Sequence, residues 1–354
     1  MTKLYGFTLL RNGVKYDYPF KESFSSLAPL VEKLYVALGD SEDVSEEALA
    51  ALPIFPKIKL IRTMWDLSLR EGGLIMSEQT NVALNTLRRE VKEEGAWGFY
   101  IQADEVIHES DYEIIKRDIE RAHSLGYEAV RFRYLHFWQT HAQIAINKKW
   151  YPSEIRAIRL SKSTIESWGD AQSFRGIDAD KIYDSDAYIF HYGHVREGDS
   201  YRSKKADILK LYHRDGRLKK YKRREARYDR QTKCIAFCGF HPQVMKERIL
   251  RLGDEWDYLN ELNKSTTYYV VVEDEHEDEE KLDKVKPLCL EIIPREKFSI
   301  LKFWKERKRV IIMHPRMHER LLFWDFIPES MHSPLARKWD AKMLLRLKLS
   351  SRLG

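Results

Sequence analysis

The chain has 354 residues, of which 43% are hydrophobic and 33% charged, with a formal net charge of +6. Those proportions are those of a soluble globular protein of one or two domains with a sizeable core. No apolar run approaches the roughly 20 residues that span a bilayer. The start shows no signal peptide, and three cysteines without a C-x-x-C pair argue against a disulfide or zinc framework and for a reducing compartment.

In chain order, the first 130 residues alternate strand and helix signals. Residues 4–10 read as a short strand followed by the turn Arg11-Asn12-Gly13. A helix opens at Pro19-Phe20 and runs to about Glu32, with Phe24, Leu27 and Leu30/Val31 on one face. Residues 34–38 form a second strand that ends in an acidic turn, Gly39-Asp40-Ser41-Glu42-Asp43. Residues 58–62 are a third strand and 79–93 a helix. The aromatic run Trp97-Gly98-Phe99-Tyr100-Ile101 then ends in Gln102-Ala103-Asp104-Glu105, two carboxylates at a strand's carboxyl end. A helix over 111–125 and a strand over 129–134 follow.

This alternation predicts an α/β fold, a mostly parallel sheet flanked by helices. Its strand carboxyl ends share one edge, where open sheets bind ligands. The Asp40 and Asp104 turns then face one crevice. Hard carboxylate oxygens there suit Mg²⁺ or Mn²⁺ bridging a diphosphate. No glycine-rich dinucleotide or P-loop signature is present.

Residues 138–198 look irregular and aromatic, a composition that suits a substrate pocket. Two pieces stand out. Trp168-Gly169-Asp170-Ala171-Gln172 sets a carboxylate between turn residues, and His191-Tyr192-Gly193-His194-Val195-Arg196 presents two histidines and an arginine after a short strand. Residues 202–230 hold 13 Lys/Arg against 4 Asp/Glu, residues 273–283 hold 8 acids and one Lys, and residues 333–354 hold 6 Lys/Arg and one Asp. Such asymmetry suits anionic partners for the basic runs. Cys234 and Cys238 have a spacing that allows a metal pair on a helix, with small core residues as the simpler reading. Strands are expected at 268–272, 288–293 and 310–313.

The order of strand–Arg-Asn, strand–Gly-Asp-Ser-Glu-Asp, aromatic strand–Gln-Ala-Asp-Glu and a late His resembles the bacterial glycosyltransferase family two group, with its nucleotide-sugar-dependent GT-A fold. The resemblance implies a catalytic domain over 1–254, with a nucleotide-sugar half at about 1–135 and an acceptor half at about 136–254. Residues 255–354 are left as an α+β extension or small subdomain. It implies that the Asp40–Asp43 turn contacts the nucleoside, so Arg11, Asp40 and Asp43 are candidate donor-binding residues. Asp104 matches the second carboxylate of the family's Asp-x-Asp signature, while Gln102 stands where the first would be. Asp104 is therefore the candidate ligand for Mn²⁺ or Mg²⁺ and the diphosphate, with Glu105 as a helper. His191, or alternatively His194, is a further metal ligand, and Arg196, Lys204 and Lys205 would neutralise the diphosphate.

Moving a sugar off a nucleoside diphosphate needs positive charge at the leaving group and a base for the acceptor hydroxyl. The resemblance makes Asp170 the candidate base, in the segment where this fold supplies it after the acceptor-binding aromatics, with Glu166 as the runner-up. Trp138, Trp150, Tyr151 and Trp168 can stack on an acceptor sugar or pack in the core. The implied activity is an inverting hexosyl transfer from a nucleoside-diphosphate sugar to a saccharide or lipid-linked acceptor, in cell-surface glycan or glycolipid synthesis. The expected location is cytoplasmic. The basic amphipathic segment 335–349 suits peripheral contact with an anionic membrane. Two other readings stay open: nucleic-acid binding through 202–230, and a non-catalytic scaffold on a transferase-like fold, suggested by Gln102.

Overall fold

A computed structural model describes residues 2–69, 72–145, 150–196, 232, 237, 240–253 and 256, and the backbone alone at 234–236, 268–272, 290–294, 309–312 and 322–324. The chain divides into two compact units, Met1–Glu261 and Leu262–Gly354.

The first unit is α/β. Strands β1 (Leu4–Leu10), β2 (Leu34–Leu38), β3 (Ile58–Arg62) and β4 (Trp97–Tyr100) lie parallel in the order β3-β2-β1-β4. Their near-continuous apolar runs are those of strands covered on both faces: every residue of β2 and β4 is buried. Strand β3, at the edge, carries Lys59 and Arg62, charges that discourage pairing with a further strand. Helix α1 (Phe20–Leu27) packs Phe20, Phe24 and Leu27 into the core. It ends earlier than periodicity alone predicts, because Pro29 has no N–H to carry the helical hydrogen bonds onward and its ring crowds the carbonyl one turn before it. Helix α2 (Ser45–Ala50) follows the acidic turn, and α3 (Leu74–Glu90) begins five residues before the expected start, after Gly73 at φ 75°.

The aromatic strand does not run on through Glu105. It stops at Tyr100, turns at Gln102-Ala103-Asp104, and resumes as β5 (Glu105–Ile107), which leaves its parallel neighbours. After α4 (Tyr112–Ser124), strand β6 (Ala129–Trp138) extends four residues past the expected end. The segment expected to be irregular is instead rich in strand: β7 (Gln143–Ala145), β8 (Ser153–Arg159), the hairpin β9 (Glu166–Trp168) and β10 (Ser173–Arg175), and β11 (Ile182–His194). Strand β8 sits antiparallel between β4 and β6, and β11 runs parallel to β6 and antiparallel to β5. Strand β12 (Cys234–Ala236) pairs with β7, so Cys234 lies on a strand and helical spacing to Cys238 does not apply. Helix α5 (Lys246–Arg251) closes the described part of this unit, its Arg248 paired with Asp17 at 2.8 Å.

The second unit shows β13 (Tyr268–Val272) parallel to β14 (Leu290–Pro294) and β15 (Arg309–Ile312), with β16 (Leu322–Trp324) antiparallel to β15. The basic run 202–230 with Lys204 and Lys205, and the amphipathic segment 335–349, lie outside the described residues. Among the described residues no helix is long and apolar enough to cross a membrane.

Candidate active site

The carboxyl ends of β1, β2 and β4 share one edge, and it is laced together by polar loops. Asn12, at φ 52° and 1% exposed, accepts a hydrogen bond from Glu42 N (2.7 Å) and donates its own N–H to Ser41 Oγ (3.0 Å). Asp43 accepts from Lys15 N (2.6 Å), Ser45 N (3.0 Å) and the Ser45 hydroxyl, so its carboxylate holds the turn in shape. Arg11 Nε donates to Asp40 Oδ1 at 3.2 Å, and the Trp65 backbone N–H donates to the same oxygen at 3.2 Å.

The Arg11 guanidinium lies 5.4 Å from the Trp65 ring centroid. That ring rests directly on Gly39, where a methyl group would come within 2.7 Å of Trp65 Cδ1. Trp65 Nε1 is buried with no hydrogen-bond partner among the described residues. A buried indole N–H without an acceptor calls for one, and an oxygen acceptor is of the right kind. Trp65 has no sequence pattern around it that marks it for this position.

Asp104 stands on the same edge, at the turn between β4 and β5, and is 7% exposed. Its Oδ2 accepts from Arg196 Nη2 at 2.9 Å. The Arg196 side chain is wholly buried: Nε donates to Gly193 O (2.9 Å), Nη1 to Tyr16 O (2.7 Å), and the guanidinium lies 4.1 Å from the Tyr18 ring centroid. Arg196 thus neutralises Asp104 and ties the end of β11 to the loop after β1. The other oxygen, Asp104 Oδ1, faces His191 Nε2 at 3.7 Å.

A second histidine, His136, decides what His191 offers there. His136 Nε2 lies 2.8 Å from the Tyr151 carbonyl, which can only accept, so that nitrogen carries the proton. Burial, and next the neighbouring His191, hold His136 well below the usual imidazole range, so its Nδ1 is bare. The 3.2 Å contact between His136 Nδ1 and His191 Nδ1 is then a hydrogen bond donated by His191. The other ring nitrogen of His191, Nε2, is the one turned toward Asp104 Oδ1.

An imidazole nitrogen and a carboxylate oxygen thus face each other at 3.7 Å, ligand types that suit a divalent cation. Gly193 keeps the place clear: a Cβ on it would lie 2.7 Å from His191 Nε2 and 2.8 Å from Asp104 Oδ2. Among the described residues no group of three or more His, Cys, Asp or Glu side chains is gathered for a metal ion. An ion here would have two protein ligands and would take the rest of its shell from water or a bound molecule. His194 turns its ring to Trp138 and Trp150, at 4.9 and 4.8 Å between centroids.

Gln102 and Glu105 serve structure. Gln102 Nε2 donates to Ala171 O at 3.0 Å, which ties this strand end to the β9–β10 loop carrying Asp170. Glu105 is fully buried, correcting its expected part as a helper at the crevice. It accepts from Arg156 Nε (2.9 Å) and Nη2 (2.7 Å), from the Tyr134 hydroxyl (2.8 Å) and from Gln102 N (3.1 Å). Arg156, also fully buried, lies 5.1 and 5.3 Å from the Tyr100 and Tyr134 ring centroids. Burial opposes its charge, but the Glu105 carboxylate overrides that and holds the guanidinium well above its ordinary range. Its Nη1 donates to Gln172 O at 2.8 Å, a second tie to the Asp170 loop.

Asp170 sits at the tip of that hairpin between Gly169 (φ 59°) and Ala171 (φ 61°), and Ala171 is 1% exposed. A left-handed alanine costs about 1–3 kcal/mol and persists only where its surroundings hold it, as Gln102 and Arg156 do on either side. Asp170 packs against Gly73, whose added Cβ would come within 2.7 Å of the Asp170 Cβ, at the N-terminal end of the 17-residue α3. The dipole of that helix favours a carboxylate there. Glu166 is instead paired with Arg175.

No family model matches the chain, and no curated protein matches it in sequence. Among solved structures, the crystal structure of S. aureus TarS is similar over 59% of this chain and 39% of that one, at 12% identity and a TM-score of 0.33. The complex of TarS 1-349 with UDP-GlcNAc is similar over 59% of this chain and 64% of that one, at 15% identity and a TM-score of 0.33. Glucosyl-3-phosphoglycerate synthase from Mycobacterium tuberculosis, in complex with Mn²⁺, UDP and glucosyl-3-phosphoglycerate, is similar over 61% and 82%, at 12% identity and a TM-score of 0.33. The chain spans less than two thirds of the TarS structures. These are likenesses of backbone, and the chemistry of this chain rests on its own residues.

Proposed function

We propose that the chain is a glycosyltransferase that moves a hexosyl group from a nucleoside-diphosphate sugar to an acceptor hydroxyl, with inversion, in cell-surface glycan or glycolipid synthesis. One observation carries this reading. Asp104, with His191 beside one oxygen and Arg196 on the other, shares a strand edge with the Arg11–Asp40 turn, and Gln102 ties the Asp170 loop to that edge. Ligands of open α/β sheets bind at such edges.

In this reading Arg11, Asp40 and Trp65 receive the nucleoside, and Asp43 keeps their turn in shape. Asp104 and His191 would hold Mn²⁺ or Mg²⁺, which when bound offsets the charge that develops on the leaving diphosphate. Arg196 keeps Asp104 aimed and adds its own positive charge to the corner. Asp170 takes the proton from the acceptor hydroxyl as that oxygen bonds to the anomeric carbon. The bond from that carbon to the diphosphate breaks, and its electron pair leaves with the diphosphate.

Thermal-shift measurements on the full chain with UDP, GDP and dTDP and their hexose conjugates, with and without Mn²⁺, test the reading. Stabilisation by one nucleotide is expected, lost in Asp104→Ala. Ligand at about a hundred times its Kd adds about 2.7 kcal/mol of stability. Absence of any nucleotide effect overturns the reading. Nucleotide binding with no transfer or hydrolysis of any donor favours a catalytically silent scaffold. The nucleic-acid reading predicts salt-sensitive oligonucleotide binding that Asp104→Ala leaves intact.

A further inference from the structure

We infer that the outward face of the β9–β10 hairpin is a saccharide-binding surface, and that the acceptor is a pyranoside stacked on Trp168. The acceptor role rests on the transferase reading. The surface itself rests on the hairpin.

The hairpin alternates cleanly. Ser167 and Phe174 point inward, 3% and 6% exposed, with Phe174 edge-on to Tyr100 at 5.5 Å and to Phe7 at 5.9 Å. Trp168, paired with Ser173, and Glu166, paired with Arg175, take the other face. Of the six tryptophans among the described residues, Trp168 alone is exposed, at 53%. Two positions along the strand from it, Arg175 and Glu166 form an ion pair at 2.6 Å, with Arg175 exposed and Glu166 half-buried.

An aromatic face flanked at about 7 Å by a paired acid and base matches a pyranose. The C–H face of the sugar ring stacks on the indole, and rim hydroxyls both donate to the carboxylate and accept from the guanidinium. An apolar protein partner would leave that ion pair without a counterpart, and a phosphate would meet Glu166.

The hairpin is also held unusually firmly for an exposed element. Asn81 exchanges two 2.9 Å hydrogen bonds with Ser167, while Gln102 and Arg156 fix its tip through Ala171 and Gln172. A rigid aromatic binds with little ordering cost. Trp168 also lies two residues from Asp170, on the same hairpin.

The test is a glycan array bearing α- and β-linked hexoses and N-acetylhexosamines, probed with the full chain, Trp168→Ala and Trp168→Phe, with and without UDP. Wild type is expected to bind at least one glycan class. Trp168→Ala should lose about tenfold or more in affinity, equivalent to about 1.4 kcal/mol, and Trp168→Phe should keep most of it. Thermal shift with UDP reports in parallel that each variant is folded. Equal binding by wild type and Trp168→Ala, or no glycan bound by wild type, overturns the inference. UDP stabilisation without glycan binding removes this surface and leaves the transferase reading. Trp168-dependent glycan binding without any nucleotide effect leaves the surface and removes the transferase reading.

Discussion

His136 Nδ1 lies 3.2 Å from His191 Nδ1, and the parallel register that pairs these two residues across β6 and β11 makes His191 Nδ1 the donor of that hydrogen bond. The Tyr151 carbonyl fixes the proton on His136, and at the far end of the pair His191 Nε2 faces Asp104. Removing His136 removes that instruction. His136→Phe is expected to weaken Mn²⁺ binding about 10- to 100-fold, as loss of a histidine's outer partner does elsewhere, read by electron paramagnetic resonance in the presence of UDP. Unchanged Mn²⁺ affinity would show that His191 needs no such orientation.

The same residue sets a pH dependence. Folding keeps His136 below the ordinary imidazole pKa. As pH falls below about 6.5 the unfolded chain takes up a proton that the folded chain refuses, so stability falls with pH across that window and is unaffected by His136 above it. The slope is about 1.4 kcal/mol per pH unit. Urea unfolding at pH 7.5, 6.0 and 5.0 should show this loss in the wild type and a shallower one in His136→Phe. Parallel slopes would contradict it.

Gly193→Ala should leave the fold intact and damage the corner, because the new methyl would press on His191 Nε2 and Asp104 Oδ2. Loss of Mn²⁺-dependent nucleotide stabilisation with a near-normal Tm is the expected pair of results. A variant that binds Mn²⁺ and UDP like wild type would place the cation elsewhere.

Asp170→Asn keeps the size of the side chain and removes its basicity. Transfer should slow by about 10²–10⁴-fold while UDP stabilisation stays within error. Glu166→Gln, which changes a residue paired with Arg175, should slow it far less. If Glu166→Gln is the slower variant, the two carboxylates exchange roles.

Breaking the buried Glu105–Arg156 pair from one side should cost about 3–5 kcal/mol, since it strands a charge in the core. Arg156→Met is therefore expected to unfold at much lower urea than wild type. The double change Glu105→Leu with Arg156→Met should recover a large part of the loss.

The parallel strands were legible because a strand buried on both faces must be apolar throughout, as 34–38 and 97–100 are. Strand β8 was not, because its inward Arg156 reads as a surface residue until Glu105 is placed opposite it. For the same reason Glu105 looked like a solvent-facing acid. The site's reach across registers was hidden too. His136 occupies an inward position on β6 together with Phe132 and Tyr134, but only the pairing of β6 with β11 sets it against His191. Asp104 could be picked out because it directly follows an aromatic strand.

Gln102 departs from the acidic signature that the chain otherwise resembles, and its tie to Ala171 gives that departure a meaning. An aspartate at this position has no N–H to give, and its side chain is shorter by one carbon. Restoring the signature by Gln102→Asp would release a left-handed alanine from one of its two supports. The glutamine works as a tie rod between the β4–β5 turn and the β9–β10 hairpin. Any sequence that regained the carboxylate would need to brace the hairpin from another direction.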